Sequence, residues 1–158
     1  MTGDGENTSL ADAVSGAGTD AVGIAGAMAI NVDRATSTAL VDSAADLSLD
    51  AGGDLSILAN QQTSATADAS GLAGLADGTL GVGISVAINV AVPTTRAELE
   101  GATVAGAGGL NISAIGDNQA QSNAQSGATE TDDQQATATL DAAVALNAAF
   151  SSTIARAS

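Results

Sequence analysis

Residues 81–90 read Gly-Val-Gly-Ile-Ser-Val-Ala-Ile-Asn-Val, so small or polar side chains alternate with bulky aliphatic ones. Because successive side chains of a strand point to opposite faces, this alternation predicts one long strand. A helix would need apolar residues three and four positions apart, and glycines and β-branched residues disfavour it. We name the Val and Ile side of this segment and of its copies the aliphatic face, and the opposite side the small-residue face.

Two further segments, residues 23–32 and 139–148, repeat this pattern. The copies are aligned by Asn31, Asn89 and Asn147, which are spaced 58 residues apart, and a hydroxyl-rich motif follows each copy. Self-similarity at a fixed period indicates a repeat architecture. We therefore divide the chain into a lead-in with the end of a partial repeat (1–20), repeat 1 (21–78), repeat 2 (79–136) and a partial repeat 3 (137–158), in one continuous domain.

The second half of each repeat is expected to hold glycine turns and further strands. Paired glycines at 52–53 and 108–109 permit positive φ angles and predict turns, each followed by an alternating strand. The polar run 60–70 predicts a solvent-facing strand or an edge strand. Residues 1–8 predict a flexible lead-in.

A single repeat cannot bury its aliphatic face, so we expect the repeats to stack into an all-β fold, a parallel β-solenoid. Equivalent residues would then lie about 4.8 Å apart along the stack. Asn31, Asn89 and Asn147 would form a structural ladder of hydrogen-bonded amides. One wide coil per repeat is favoured, and several narrow coils of roughly 20 residues each remain the alternative.

The small-residue face supplies a flat packing strip. Its members are Gly23, Ala25, Ala27, Ala29, Gly81, Gly83, Ser85 and Ala87. Either a second wall of the same chain or a neighbouring molecule is expected to pack on this strip. Together with open strand edges, the second alternative predicts self-association into fibres.

The charge balance excludes whole classes of partner. The chain carries 18 acidic residues against three basic ones, all of them Arg, for a net charge of −15. Nucleic-acid binding relies on Lys and Arg, so no nucleic-acid partner is expected, and an anionic membrane surface is disfavoured for the same reason. The longest apolar run, near residues 21–32, falls short of the roughly 20 residues of a membrane span.

The residue types also restrict the chemistry. Without His, Cys or Lys, a Ser-His-Asp triad, a thiol nucleophile, a zinc site and a Schiff base are all impossible. Paired carboxylates remain, but sugar-cleaving sites rely on aromatic platforms and the chain has a single Phe. We therefore expect no catalytic residues and no cofactor. Weak calcium binding is the one metal hypothesis, with Glu130, Asp132 and Asp133 as candidates, although no EF-hand spacing occurs.

The sequence around the long strand resembles a known family. The run 81–90, the Thr-Thr-Arg-Ala motif at 94–97 and the Gly-Gly-Leu-Asn-Ile-Ser-Ala segment at 108–114 are similar to repeats of large bacterial exoproteins, the filamentous-haemagglutinin-like and autotransporter-type adhesins. The resemblance covers roughly residues 11–158. It implies a secreted β-solenoid stalk that acts in surface attachment or in a matrix, and it supplies no catalytic motif. The absence of Lys departs from the family pattern and bears on the ligand more than on the fold.

These observations predict a non-catalytic structural protein, extracellular or at the cell surface. It would be a segment of an adhesin stalk or a self-assembling filament, with further copies joined through open strand edges and a host or surface ligand as partners. An alternative is a binding module that uses its flat small-residue face for a glycan, a mineral or ice. A carbohydrate-active β-helix enzyme is the third hypothesis.

Overall fold

The structure, a computed structural model, describes residues 1–19, 22–75, 80–130 and 138–158. Within these ranges the chain forms nine strands and no helix. They are β1 (Thr2–Thr19), β2 (Val22–Asp33), β3 (Thr36–Val41), β4 (Asp46–Leu75), β5 (Leu80–Ala91), β6 (Thr94–Leu99), β7 (Thr103–Glu130), β8 (Ala138–Ala149) and β9 (Ser152–Ala157). The strands build three parallel sheets, β1-β4-β7, β2-β5-β8 and β3-β6-β9. The prediction of an all-β fold with parallel sheets is confirmed.

Positions 58 residues apart lie side by side in two of the sheets. In β2-β5-β8, Asn31 pairs with Asn89, and Asn89 pairs with Asn147. The β3-β6-β9 sheet keeps the same spacing. The corner between the two sheets continues the ladder, since Val92 N donates to Asp33 O at 2.8 Å. The repeat found in the sequence is therefore the pairing register of these strands.

The β1-β4-β7 sheet has a shorter spacing because its register changes within the strands. Paired residues are 56 apart between β1 and β4. Between β4 and β7 they are 55 apart only from Asp54 onward, because Asp46 before the irregularity pairs with Thr103. The irregularity lies between Ser48 and Asp54 of β4, and it contains Gly52 with a φ of 91°. Gly106, with a φ of 76°, takes the same role in β7. The predicted glycine turns are thus changes of register inside long strands rather than breaks between strands.

The small-residue face points into the molecule, and the aliphatic face points out. Ala25 is 2 % exposed and Ser85 is fully buried, whereas Ile24 and Met28 on the other side of β2 are 66 % and 63 % exposed. The expectation that stacking buries the aliphatic face is wrong. The packing strip lies on the inner side: Gly23, Ala25, Ala29, Gly81, Gly83, Ser85 and Ala87 are buried, and Ala27 is half-buried.

The reason for this orientation is the close approach of the β1-β4-β7 sheet. A Cβ atom added to Gly83 would lie 2.6 Å from Gly127 O and 2.8 Å from Gly71 O. Nearby, buried alanines of β4 pack against buried alanines of β2 and β5. An interior this narrow has no room for Val or Ile, so the branched residues of the long strands must face outward.

A second cluster, built from larger side chains, lies where β3-β6-β9 meets the first part of β4. Ile57 is fully buried there, with Val41 and Leu99 only 5 % and 8 % exposed. Leu47 and Leu55 pack against this cluster from the rim. The interior therefore consists of an alanine-lined end and an aliphatic end.

Two of the expected segments have a different role in the fold. Residues 1–8 are not a flexible lead-in, because β1 begins at Thr2 and pairs with β4 from that residue onward. Residues 60–70 are not an edge, because β4 lies between β1 and β7. Their small and hydroxyl residues are explained by the alternation, since Thr63, Ala65 and Ala67 fill the interior.

Candidate functional site

The three asparagines of the predicted ladder project from the small-residue face toward the opposite sheet. Asn31 Nδ2 donates to Ser9 Oγ at 2.9 Å and to Ser9 O at 3.2 Å. Asn89 Nδ2 donates to Ala65 O at 2.9 Å. Asn147 makes the equivalent bond, to Ala120 O at 2.7 Å. Each asparagine thus ties its strand to a strand of the β1-β4-β7 sheet.

Of the two neighbouring amide pairs along the stack, only Asn89 and Asn147 are hydrogen-bonded, so the predicted ladder does not extend to Asn31. Asn89 Nδ2 donates to Asn147 Oδ1 at 3.3 Å, and its other N–H group makes the bond to Ala65 O. Asn89 is fully buried, while its Oδ1 has no hydrogen-bond partner. A buried amide anchored to a backbone carbonyl holds two sheets in one register, and that role is structural.

More polar residues fill the interior between the asparagines and the aliphatic cluster. Asn7 Nδ2 donates to Asp33 Oδ1, and Gln61 Nε2 donates to Thr63 Oγ1 at 3.3 Å. Ser37 and Thr95 are also buried in this part of the interior. Asp33 Oδ2 and Gln61 Oε1 are buried without a partner. Among these described residues no nucleophile is hydrogen-bonded to a base.

Glu98 is the most buried acidic side chain that forms an ion pair. Its carboxylate lies 2.8 Å from Arg96 Nη2 and 3.8 Å from Arg156 Nη2, and its side chain is 5 % exposed against 43 % and 51 % for the two arginines. Arg156 is the in-register neighbour of Glu98 in the β6–β9 pair. The second arginine therefore joins two successive strands of the stack.

Replacing Glu98 with glutamine is expected to lower the free energy of unfolding by about 1–2 kcal/mol, since the buried acceptor for two arginines loses its charge. The arginines are half-exposed, which keeps the loss below that of a fully buried pair. Urea unfolding at neutral pH measures the effect. Glu100→Gln is the matched control, because Glu100 is 54 % exposed and lies 4.0 Å from Arg156. Equal losses in the two variants would contradict a stabilising role for Glu98.

The two flat outer surfaces differ in chemistry. The outer side of β1-β4-β7 is mostly polar and acidic: Asn60 donates to Asp4 at 3.3 Å, and Asn123 donates to Asp68 at 2.7 Å. Leu10 and Val14 interrupt it as exposed aliphatic residues. The outer side of β2-β5-β8 is the aliphatic face. Sequence reasoning identified both rows of the long strands but placed the aliphatic row inside, so it missed this surface. The sequence signal for the true orientation was the row of Gly and Ala on the small-residue face, because only a closely packed interior requires such small side chains.

The calcium candidates receive no support from the described residues. Asp132 and Asp133 lie outside those residues, as does the side chain of Glu130. In the part of the chain that is described, no three acidic side chains come together closely enough to hold a metal ion. Among the described residues, no helix is long and apolar enough to cross a membrane.

Comparison with known proteins gives no relative for this chain. No family model matches the sequence, and neither the curated proteins nor the solved structures include a significant match.

Proposed function

We propose that this chain is a stretch of parallel β-solenoid with one wide coil per 58-residue unit, and that it serves as a non-catalytic structural element outside the cell or at its surface. It is a segment of an adhesin stalk or a subunit of a surface filament. The carrying observation is the register: the same spacing runs through β2-β5-β8, the corner and β3-β6-β9. The resemblance to large bacterial exoproteins points the same way.

The unpaired edge strands are the places where further units of a stalk or filament would add. β1, β2 and β3 lie at one end of the three sheets, and β7, β8 and β9 lie at the other. The outer N–H and C=O groups of an end strand can pair with another unit, whether it belongs to the same chain or to another copy. Phe150, which is 65 % exposed, occupies the position in the last coil that Val92 occupies in the middle coil and Arg34 in the first. Stacking a second copy in register would place its Arg34 over this ring as a cation–π contact.

Burial of the small-residue face argues against the binding-module alternative. A flat small-residue face could take a glycan, a mineral or ice only if it were accessible, and the central strand of that face is buried by β4 and β7. No arrangement of the described residues favours the carbohydrate-active enzyme.

Electron microscopy of the purified chain in negative stain, over a concentration series with and without calcium, tests the filament form. We expect uniform fibres with a subunit rise of about 14 Å, from three coils of about 4.8 Å each. Ala143→Lys should abolish them, because Ala143 is in register with the fully buried Ser85 and the narrow interior has no room for a lysine beneath a further coil. Gln125→Lys, on the outer polar surface of β7, should leave the fibres intact. Discrete particles at every concentration would refute self-assembly and restrict the chain to a stalk segment.

Insertion of an extra unit tests the solenoid itself. A second copy of residues 79–136, placed after residue 136, should add one coil to the same cooperative structure. The free energy of unfolding should rise, because each repeat of a solenoid gains an interface with its neighbours. A separate unfolding transition for the added unit, or a loss of stability, would contradict the proposed architecture.

A further inference from the structure

We propose that the aliphatic face of β2-β5-β8 pairs with the same face of a second copy of this chain, forming a closed two-fold dimer. This contact differs from the edge stacking of the proposed function, since it uses the flat side of a sheet and not its open strands. It would give a stalk or filament lateral partners and limit the lateral pairing to two copies.

The composition of the face carries the first step. Six outward positions on each of the three strands hold only Gly, Ala, Val, Leu, Ile and Met. The most exposed members include Ile24 at 66 %, Met28 at 63 %, Val32 at 61 % and Leu140 at 61 %. Single exposed aliphatic residues are ordinary, whereas an uninterrupted apolar surface over three strands marks an interaction site.

The size of the face fits a dimer. Twelve residues at about 3.3 Å each and three strands at about 4.8 Å each give a rectangle of roughly 40 Å by 14 Å. Two such faces together remove on the order of 1,100 Å² from water, which clears the roughly 1,000 Å² that a biological interface needs and lies just below the range of stable complexes. The register of β2-β5-β8 has no bulge, so the rows of side chains are straight and two copies can interdigitate as stacked sheets do.

Charge selects a second copy through this face rather than through the other flat side. With a net charge of −15, two copies repel each other, and contact through β1-β4-β7 would bring Asp4, Asp12 and Asp68 against their counterparts. The aliphatic face carries no charged residue. A lipid surface fits less well, because the chain has no Trp or Tyr to anchor at an interface and its charge opposes anionic headgroups.

Sedimentation equilibrium of Ile84→Lys and Thr66→Lys tests the proposal. Both positions lie on the central strand of a sheet and point outward, one on each flat side, and each substitution changes the net charge by one unit in the same direction. All samples also carry Ala143→Lys, so that failure of edge stacking leaves this test intact. We expect twice the chain mass of 14.9 kDa for the parent and for Thr66→Lys. Ile84→Lys should raise the dimer dissociation constant at least about 100-fold, because it buries an unpaired charge.

Further measurements separate dimer loss from misfolding. Circular dichroism should show an unchanged strand signal in Ile84→Lys, and the milder Ile84→Thr, which keeps a β-branched side chain, should weaken the dimer about 10-fold. Added salt should strengthen the parent dimer, since it screens the repulsion between two acidic copies. A parent that stays monomeric up to about 100 μM would overturn the proposal, as would equal effects of the two lysine variants. Flotation of the parent, but not of Ile84→Lys, with phosphatidylcholine vesicles would assign the face to lipid instead.

Discussion

Gly83→Ala is expected to lower the free energy of unfolding by about 3 kcal/mol, because the interior between the two sheets has no room for a methyl group. The added Cβ would lie 2.6 Å from Gly127 O, 2.7 Å from Gly127 N and 2.8 Å from Gly71 O. All three are backbone atoms of β4 and β7, so relief requires the sheets to move apart rather than a side chain to rotate. Urea unfolding, with the slope checked for two-state behaviour, measures the loss.

Gly26→Ala is the matched control in the same sheet. Gly26 lies on the aliphatic face, and the nearest atom to an added Cβ is Ile84 O at 3.9 Å. Alanine should be tolerated there and should stabilise the strand by about 0.5–1 kcal/mol, since glycine loses more backbone entropy on folding. A destabilising Gly26→Ala together with a neutral Gly83→Ala would mean that the inner and outer faces are the reverse of those described.

Asn89→Asp is expected to lower the free energy of unfolding by about 3 kcal/mol or more at neutral pH. The substitution keeps the shape of the side chain but replaces the amide donor with a carboxylate that faces Ala65 O and Asn147 Oδ1. Asn89 is fully buried, so water cannot solvate the new charge. Thermal and urea unfolding of the purified variant measure the change.

Asn111→Asp adds the same charge at an exposed position of β7 and should change stability by less than about 0.5 kcal/mol. The contrast between the two variants isolates burial from net charge. At low pH the acid at position 89 becomes protonated and can again donate to Ala65 O, so part of the loss should be recovered. An Asn89→Asp variant as stable as Asn111→Asp would show that the buried amide contributes little to holding the sheets together.

Much of the fold could be predicted from periodicity. The alternation of residues 81–90 gave the long strand, and the spacing of Asn31, Asn89 and Asn147 gave the pairing partners of β2, β5 and β8. The strand that contains Asn60–Ser70 was harder, because its polar and small residues suggest a solvated edge. Two of its interior positions, Gln61 and Thr63, are polar because they lie in the polar part of the interior, and only the tertiary arrangement reveals this.

The orientation of the long strands could not be predicted from hydrophobicity alone. Burial of bulky apolar residues is the ordinary rule, and it assigns Ile24, Met28 and Ile30 to the interior. The distance between the sheets decides otherwise, because the glycines of β4, β5 and β7 bring the backbones into contact. Sheet separation is a property of two segments distant in sequence, whereas alternation is a property of one. The aliphatic face therefore emerged only with the three-dimensional structure.

Cysteine labelling tests the inside-out arrangement most directly, since the natural chain contains no Cys. Met28→Cys and Ser85→Cys are compared in the Ile84→Lys background, so that dimer formation does not cover the aliphatic face. Met28 is 63 % exposed and Ser85 is fully buried. We predict that a maleimide reagent modifies the cysteine at position 28 at the rate of the unfolded chain and the cysteine at position 85 at least about 100-fold more slowly until urea unfolds it. Rapid labelling at position 85 with protection at position 28 would contradict the account.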